Sequence, residues 1–245
     1  MHYDGTEFHG WQKQEPPGQE PLRTVQAVVE EGCRRALRQP LTLTGASRTD
    51  AGVHAVGQVA SFDAETTIPV ERMARAINKW LPGDVAVTKA QVAPPDFDPI
   101  SSPIAKAYRY TILNSAQRNV FERNFVTPFA WPLNAELMNE AAKHLVGTMD
   151  FTSVANINHG KESAVRTIFA CGARREGEKI VIDVEGSGFL YHMVRIIAGT
   201  LMFAGCGKIK PEEMPGILAA KDRTKAGPTM IAAGLCLMWI RYEGD

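Results

Sequence analysis

Arg48, Asp50 and His54 crowd into one short stretch, GASRTDAGVHAVGQVASF, residues 45–62. Asp50 followed closely by Gly52 is ordinary turn chemistry, because glycine reaches backbone angles closed to other residues. A turn does not need Arg48. Side chains two apart on an extended segment project the same way, so Arg48 and Asp50 can leave the loop together. A guanidinium beside a carboxylate favours the charged form. A fixed, ionised carboxylate is what nucleophilic attack, or stabilisation of an oxocarbenium-like centre, requires.

The rest of the sequence narrows that chemistry. A glycosidase wants a second carboxylate at matched spacing, and none is evident. The nucleophile elbow GxSxG is missing, as are the HxE and PCxxC motifs of zinc base deaminases. With neither GxGxxG nor GxxxxGK[ST] in the sequence, no nucleotide cofactor is implied. Cys33, Cys171, Cys206 and Cys236 are scattered, and the six histidines make no HxxxH or HExxH pattern. We therefore expect reduced cysteines and no metal. One aspartate without metal or cofactor leaves few reactions, and isomerisation of a glycosidic bond within one nucleoside is among them.

The elements that position these residues can be read coarsely. The 245-residue chain suits one large or two small domains. It starts without the basic-then-apolar pattern of a signal peptide, and its greasiest run, 193–204, is too short to span a bilayer. Both point to a soluble, cytoplasmic protein. Equal counts of 27 basic and 27 acidic residues argue against a nonspecific nucleic-acid binder but leave room for local basic faces. Thr24 caps a helix predicted over 25–37, with Val25, Val28, Val29, Ala36 and Leu37 on one face. Strands are expected at the N-terminus and at 41–45, 56–62 and 85–92, and a second helix at 70–81. This is the β-α-β-β-α-β order of a split, ferredoxin-like unit. Residues 93–103, rich in proline and serine, read as a linker. A similar order follows: a strand at 106–113, a helix from Asn134 to 145, paired strands at 166–173 and 179–185, helices at 190–203 and 211–219, and a closing strand at 235–242. The expected fold class is α+β, with domains at 1–103 and 104–245.

Five blocks, YDGTEFHGWQ (3–12), SRTDAGVHAVGQVASF (47–62), AKAYRYTI (105–112), FLYHMVRIIAGTL (189–201) and AGPTMIAAGLCL (226–237), together strongly resemble the TruA family of tRNA pseudouridine synthases. They occur in the family's order and span nearly the whole chain. The resemblance implies two ferredoxin-like (RRM-like) domains, their antiparallel sheets joined, with the active cleft between them. It implies a homodimer with no cofactor. Its reaction converts uridine to pseudouridine at positions 38, 39 and 40 of the tRNA anticodon stem-loop. The N1–C1′ bond breaks and the uracil is re-attached through C5.

By the same resemblance Asp50 is the essential aspartate, acting at the sugar or the uracil. Arg48 helps to flip the target base, since a base inside an A-form stem is out of reach. Tyr108 stacks on that base and accepts the proton from C5. Arg195, on an otherwise apolar helix, pairs with the aspartate, and Leu190 packs near the site. His54, inside the same motif, is expected to contact substrate or support the turn. Three departures from the family pattern stand out. Only two residues precede Tyr3, so a short first strand is expected. Pro99 and Ile100 replace a common Ala-Arg, which bears on one RNA contact. Ile231 stands where proline is common. Two rival readings are a TruA-like synthase acting on another RNA and a noncatalytic ferredoxin-like RNA-binding module.

Overall fold

The structure, a computed structural model, describes residues 1–18, 20–156 and 163–244. In chain order the strands are β1 (His2–Tyr3), β2 (Thr44–Gly45), β3 (His54–Ala55), β4 (Ala60–Ser61), β5 (Val85–Ala86), β6 (Ala105–Leu113), β7 (Thr127–Pro128), β8 (Gly147–Asp150), β9 (Val165–Glu176), β10 (Lys179–Gly186) and β11 (Leu235–Arg241). The helices are α1 (Val25–Leu37), α2 (Val70–Asn78), α3 (Ala135–Lys143), α4 (Met193–Gly205) and α5 (Met214–Ala219). The fold is mixed α/β. It divides into two units, Met1–Ile104 with Leu237–Asp245, and Ala105–Cys236.

In the first unit, β1 lies antiparallel between β3 and β5, with Tyr3 opposite Ala55 on one side and Val85 on the other. Val56 N–H reaches Leu237 O at 2.8 Å, which brings the end of β11 alongside. Helix α1 starts at Thr24, whose hydroxyl accepts from Ala27 N–H, the helix start expected from sequence. Its buried face runs through Val25, Gln26, Val29, Glu30 and Cys33, whereas Val28, Ala36 and Leu37 are only half-buried. The two buried polar residues explain the tilt. Gln26 donates to Leu43 O at 2.7 Å and accepts from Lys13 N–H at 2.8 Å, and Glu30 accepts from Leu43 N–H at 3.0 Å.

Those bonds also shorten the strand expected at 41–45. Arg34 takes Leu41 O, while Gln26 and Glu30 take both backbone groups of Leu43. Only Thr44–Gly45 is left to pair with Ala60–Ser61. In the same way Asn78 holds Val87 by its N–H and its C=O, each at 2.8 Å, so the strand expected to run to 92 stops at Ala86. A backbone group satisfied by a side chain has no need of a strand neighbour.

The second unit is built on long ladders. β10 pairs antiparallel with β6 from Lys179↔Leu113 to Gly186↔Lys106, and with β9 on its other edge. β8 adds to β9, and β7 runs parallel to β6. Asn134 caps α3 by accepting from Glu136 N–H and Leu137 N–H. Ile180, Ile182 and Val184 are buried on one face of β10, while Asp183 and Glu185 are half-exposed on the other. Val181 is the exception on that second face, buried to 3% exposure.

Candidate active site

Asp50 sits in a segment with almost no regular structure, and the chain compensates with ties to its surroundings. Trp11 N–H donates to Thr49 O at 3.0 Å, Gly52 N–H to Phe8 O at 3.2 Å, and Val53 N–H to Asp50 O at 3.1 Å. The Thr49 hydroxyl meets the Tyr3 hydroxyl at 2.8 Å in a buried setting. Gln58, 1% exposed, donates to Ser47 O at 2.7 Å. Beneath the loop lies the Trp11 ring, itself 1% exposed. It packs so closely on Gly45 that a Cβ there would fall 2.2 Å from the indole. The loop is thus pinned at 47, 49, 50 and 52, and a pinned loop can aim a side chain. Asp50 is half-buried and Arg48 exposed.

His54 is buried, and its Nδ1 accepts from Gly5 N–H at 3.0 Å. The same nitrogen lies 3.2 Å from Asp4 Oδ1. A lone pair occupied by Gly5 cannot also carry a proton toward Asp4, and the Asp4 oxygen is already served by Thr6 N–H and the Thr6 hydroxyl. We therefore read the Asp4 approach as proximity rather than an ion pair. His54 ties the first strand to the motif.

The residues expected from the second half all lie in the second unit. Tyr108 on β6 is 6% exposed and meets the Phe189 ring edge-on, with centroids 5.2 Å apart, a preferred aromatic geometry. Leu190, next along, is buried, and its carbonyl accepts from Met193 N–H as α4 begins. Arg195 is half-buried on a helix whose other residues are nearly all buried. Its Nε donates to Met230 O at 2.6 Å, and Met230 N–H returns a bond to Arg195 O.

The 226–230 segment is clipped to α4 by close backbone contact as well as by side chains. A Cβ on Gly199 would lie 1.9 Å from Pro228 O, and one on Gly227 would lie 2.4 Å from Gly199 C. Gly227 N–H also donates to the Thr200 hydroxyl at 2.9 Å.

Two supporting residues escaped the sequence reading. Phe189 stood inside a quoted block, one position before Leu190, and its aromatic character was the available signal. Tyr110 is fully buried. It bonds the Thr127 hydroxyl and donates to Ile231 O at 2.8 Å. Burial pushes its hydroxyl up to about 12, against the pull of Thr127 and the Arg195 charge. Ile231, the departure from proline, thus contributes a carbonyl that any residue could supply.

Arg48 and Asp50 lie on one loop of the first unit and His54 begins the strand that follows it, while Tyr108, Leu190 and Arg195 lie in the second unit. Among the described residues no group of three or more His, Cys, Asp or Glu is arranged to hold a metal ion.

Known proteins supply the remaining comparison. One solved chain, from the crystal structure of a Cbf5–Nop10–Gar1 complex, aligns over 97% of this chain and 58% of its own at TM-score 0.39 and 10% identity, too slight to argue from. A protein named tRNA pseudouridine synthase A from a Thermoanaerobacter species is 42% identical over 99% of this chain and 97% of its own. Its namesake from Geotalea daltonii matches at 42% over the same shares. That from Bacillus subtilis is 42% identical over 98% and 96%. The family model described as tRNA pseudouridine synthase matches residues 1–100 and 141–243, which take in the pinned aspartate loop as well as α4 and the segment clipped to it. By that match the chain belongs to the tRNA pseudouridine synthase family.

Proposed function

We propose that this enzyme isomerises uridine to pseudouridine at positions 38, 39 and 40 of the tRNA anticodon stem-loop. The N1–C1′ bond breaks, the uracil turns, C5 bonds to C1′, the proton on C5 leaves, and the freed N1 takes up a proton. Product and substrate thus have the same composition, so the reaction needs no redox cofactor and no second substrate. Asp50 is the carboxylate that acts on the nucleoside, and Arg195 is its partner. Arg48, exposed at the loop's edge, helps to draw the target out of the stem. Tyr108 stacks on the extruded uracil and takes the C5 proton. His54 and Leu190 shape the substrate site from behind.

In this reading the chain is built of ferredoxin-like domains, and two copies of it share one tRNA in the cytoplasm. Pairing two copies would line up basic groups that a neutral monomer disperses.

The observation that carries the reading is the support beneath Asp50. Buried ties from Tyr3, Trp11, Phe8 and Gln58 hold a loop that has no strand ladder of its own. A turn that merely reversed the chain would not require that support. The test is tritium release from C5-labelled uridine in a tRNA transcript. We expect release with the wild-type enzyme and none above blank with Asp50→Ala. Undiminished release from that variant would defeat the assignment, and pseudouridine mapping in RNA from a deletion strain would show a different substrate if there is one.

A further inference from the structure

We propose that the loop between β6 and α3, residues 115–131, is a stacking surface for unpaired bases of the RNA; the proposal rests on the RNA reading above. The loop lies between the two stretches matched by the family model. Several of its large apolar side chains stand in the open, although Val126 is buried. Phe121 is 92% exposed, Trp131 71% and Val120 58%. Several polar groups meanwhile hold the backbone. Asn119 Oδ1 accepts from Phe121 N–H and Glu122 N–H, and its amide donates to Glu122 Oε2 at 2.7 Å. Arg123 donates to Val120 O at 2.7 Å. Asn114 donates to Phe129 O and Trp131 O, and the Phe129 ring lies 5.5 Å from the Trp131 ring. A loop fixed this way presents its rings without further ordering, which lowers the entropy cost of binding.

Charge selects the occupant. From Asn114 to Leu133 the only carboxylate is Glu122, and it is paired with Lys179. Arg118 and Arg123 are both exposed. Glu178 also reaches the segment, at the Ser115 hydroxyl, so the exposed charge that the segment itself adds is that of Arg118 and Arg123. Exposed aromatic rings on a segment that also exposes two arginines suit a single-stranded polyanion whose bases stack. A twofold contact between copies through this face would set the same arginines near one another.

The experiment measures binding of an anticodon stem-loop RNA to the full chain, with molar mass followed by light scattering. Phe121→Leu and Trp131→Leu keep apolar bulk but lose the π face. Each is expected to weaken binding roughly tenfold, with Phe121→Tyr binding as wild type. Arg118→Gln with Arg123→Gln should lower the slope of log Kd against log salt by roughly 1.5–2. Unchanged affinity and salt slope in these variants overturn the proposal. So does any change in molar mass, with or without loss of affinity, because the face is then a contact between copies. If wild type binds the RNA but releases no tritium, the isomerase reading fails and this one stands. Normal tritium release by wild type, with leucine variants that bind as tightly, sinks this one alone.

Discussion

The strands around the aspartate loop are two residues long, and their neighbours 41–43 and 87 are held by Arg34, Gln26, Glu30 and Asn78. In the second unit β10 pairs over eight residues with β6 and over eight with β9, so the ladder itself holds most of these backbone groups. The difference has a physical consequence. A ladder carries its side chains as passengers, so one of them can change chemistry without disturbing the frame. A loop fastened by particular side chains makes those side chains part of the frame. Reactivity and stability are thus separable on the β6–β10–β9 ladder and joined at the aspartate loop.

Tyr108→Phe should give the largest separation. It keeps the ring against Phe189 but removes the hydroxyl that we assign to the C5 proton. Tritium release should fall by about 10²–10⁴, a far larger change than any shift of Tm in a thermal melt. A large loss of Tm would show that the hydroxyl is structural. Trp11→Ala tests the opposite case, emptying the floor of the loop. We expect a loss of about 3–5 kcal/mol in denaturant unfolding, typical of a buried aromatic removed, with activity lost alongside. Full activity in a destabilised Trp11→Ala protein would break the link between support and chemistry.

Gln26→Leu sharpens the same point at a distance. It leaves Leu43 O and Lys13 N–H without their partners, which should cost about 2–3 kcal/mol by the same unfolding measurement. A conservative exchange on the exposed face of α1 should cost almost nothing.

The smallest effect belongs to Asp150, in the second unit. Its bond to Lys221, then the Thr152 hydroxyl and N–H, hold its carboxyl down to about 2, from a usual 3.8. A folded-state value below the unfolded one adds stability at neutral pH, and that contribution fades as pH falls from about 4 toward 2. Because Lys221 is well exposed, the contribution should stay below about 1 kcal/mol. Melts of Asp150→Asn and wild type should differ at pH 6 and converge near pH 2.

The contrast also explains what could be read from the chain. Helix α1 with its Thr24 cap, α3 with its Asn134 cap, and the β9–β10 hairpin all follow from local periodicity and capping, and they lie where expected. The strands expected at 41–45 and 85–92 came out short because residues distant in sequence claim their backbone groups, which no local pattern records. The same holds for the site. Arg48 and Asp50 announce themselves by spacing. The Tyr3–Thr49 bond, the Trp11 floor and the grip of Met230 on Arg195 join positions about 35 or more apart, and only folding discloses them.

The meeting of Gly199 with the 227–228 backbone has a consequence for how this sequence can drift. Where two side chains touch, enlarging one can be offset by trimming the other. Here main chain rests on main chain, and neither glycine can be made smaller. Alanine at position 199 therefore has no second-site remedy at 227, and the close approach of this segment to the Arg195 helix requires glycine at both positions.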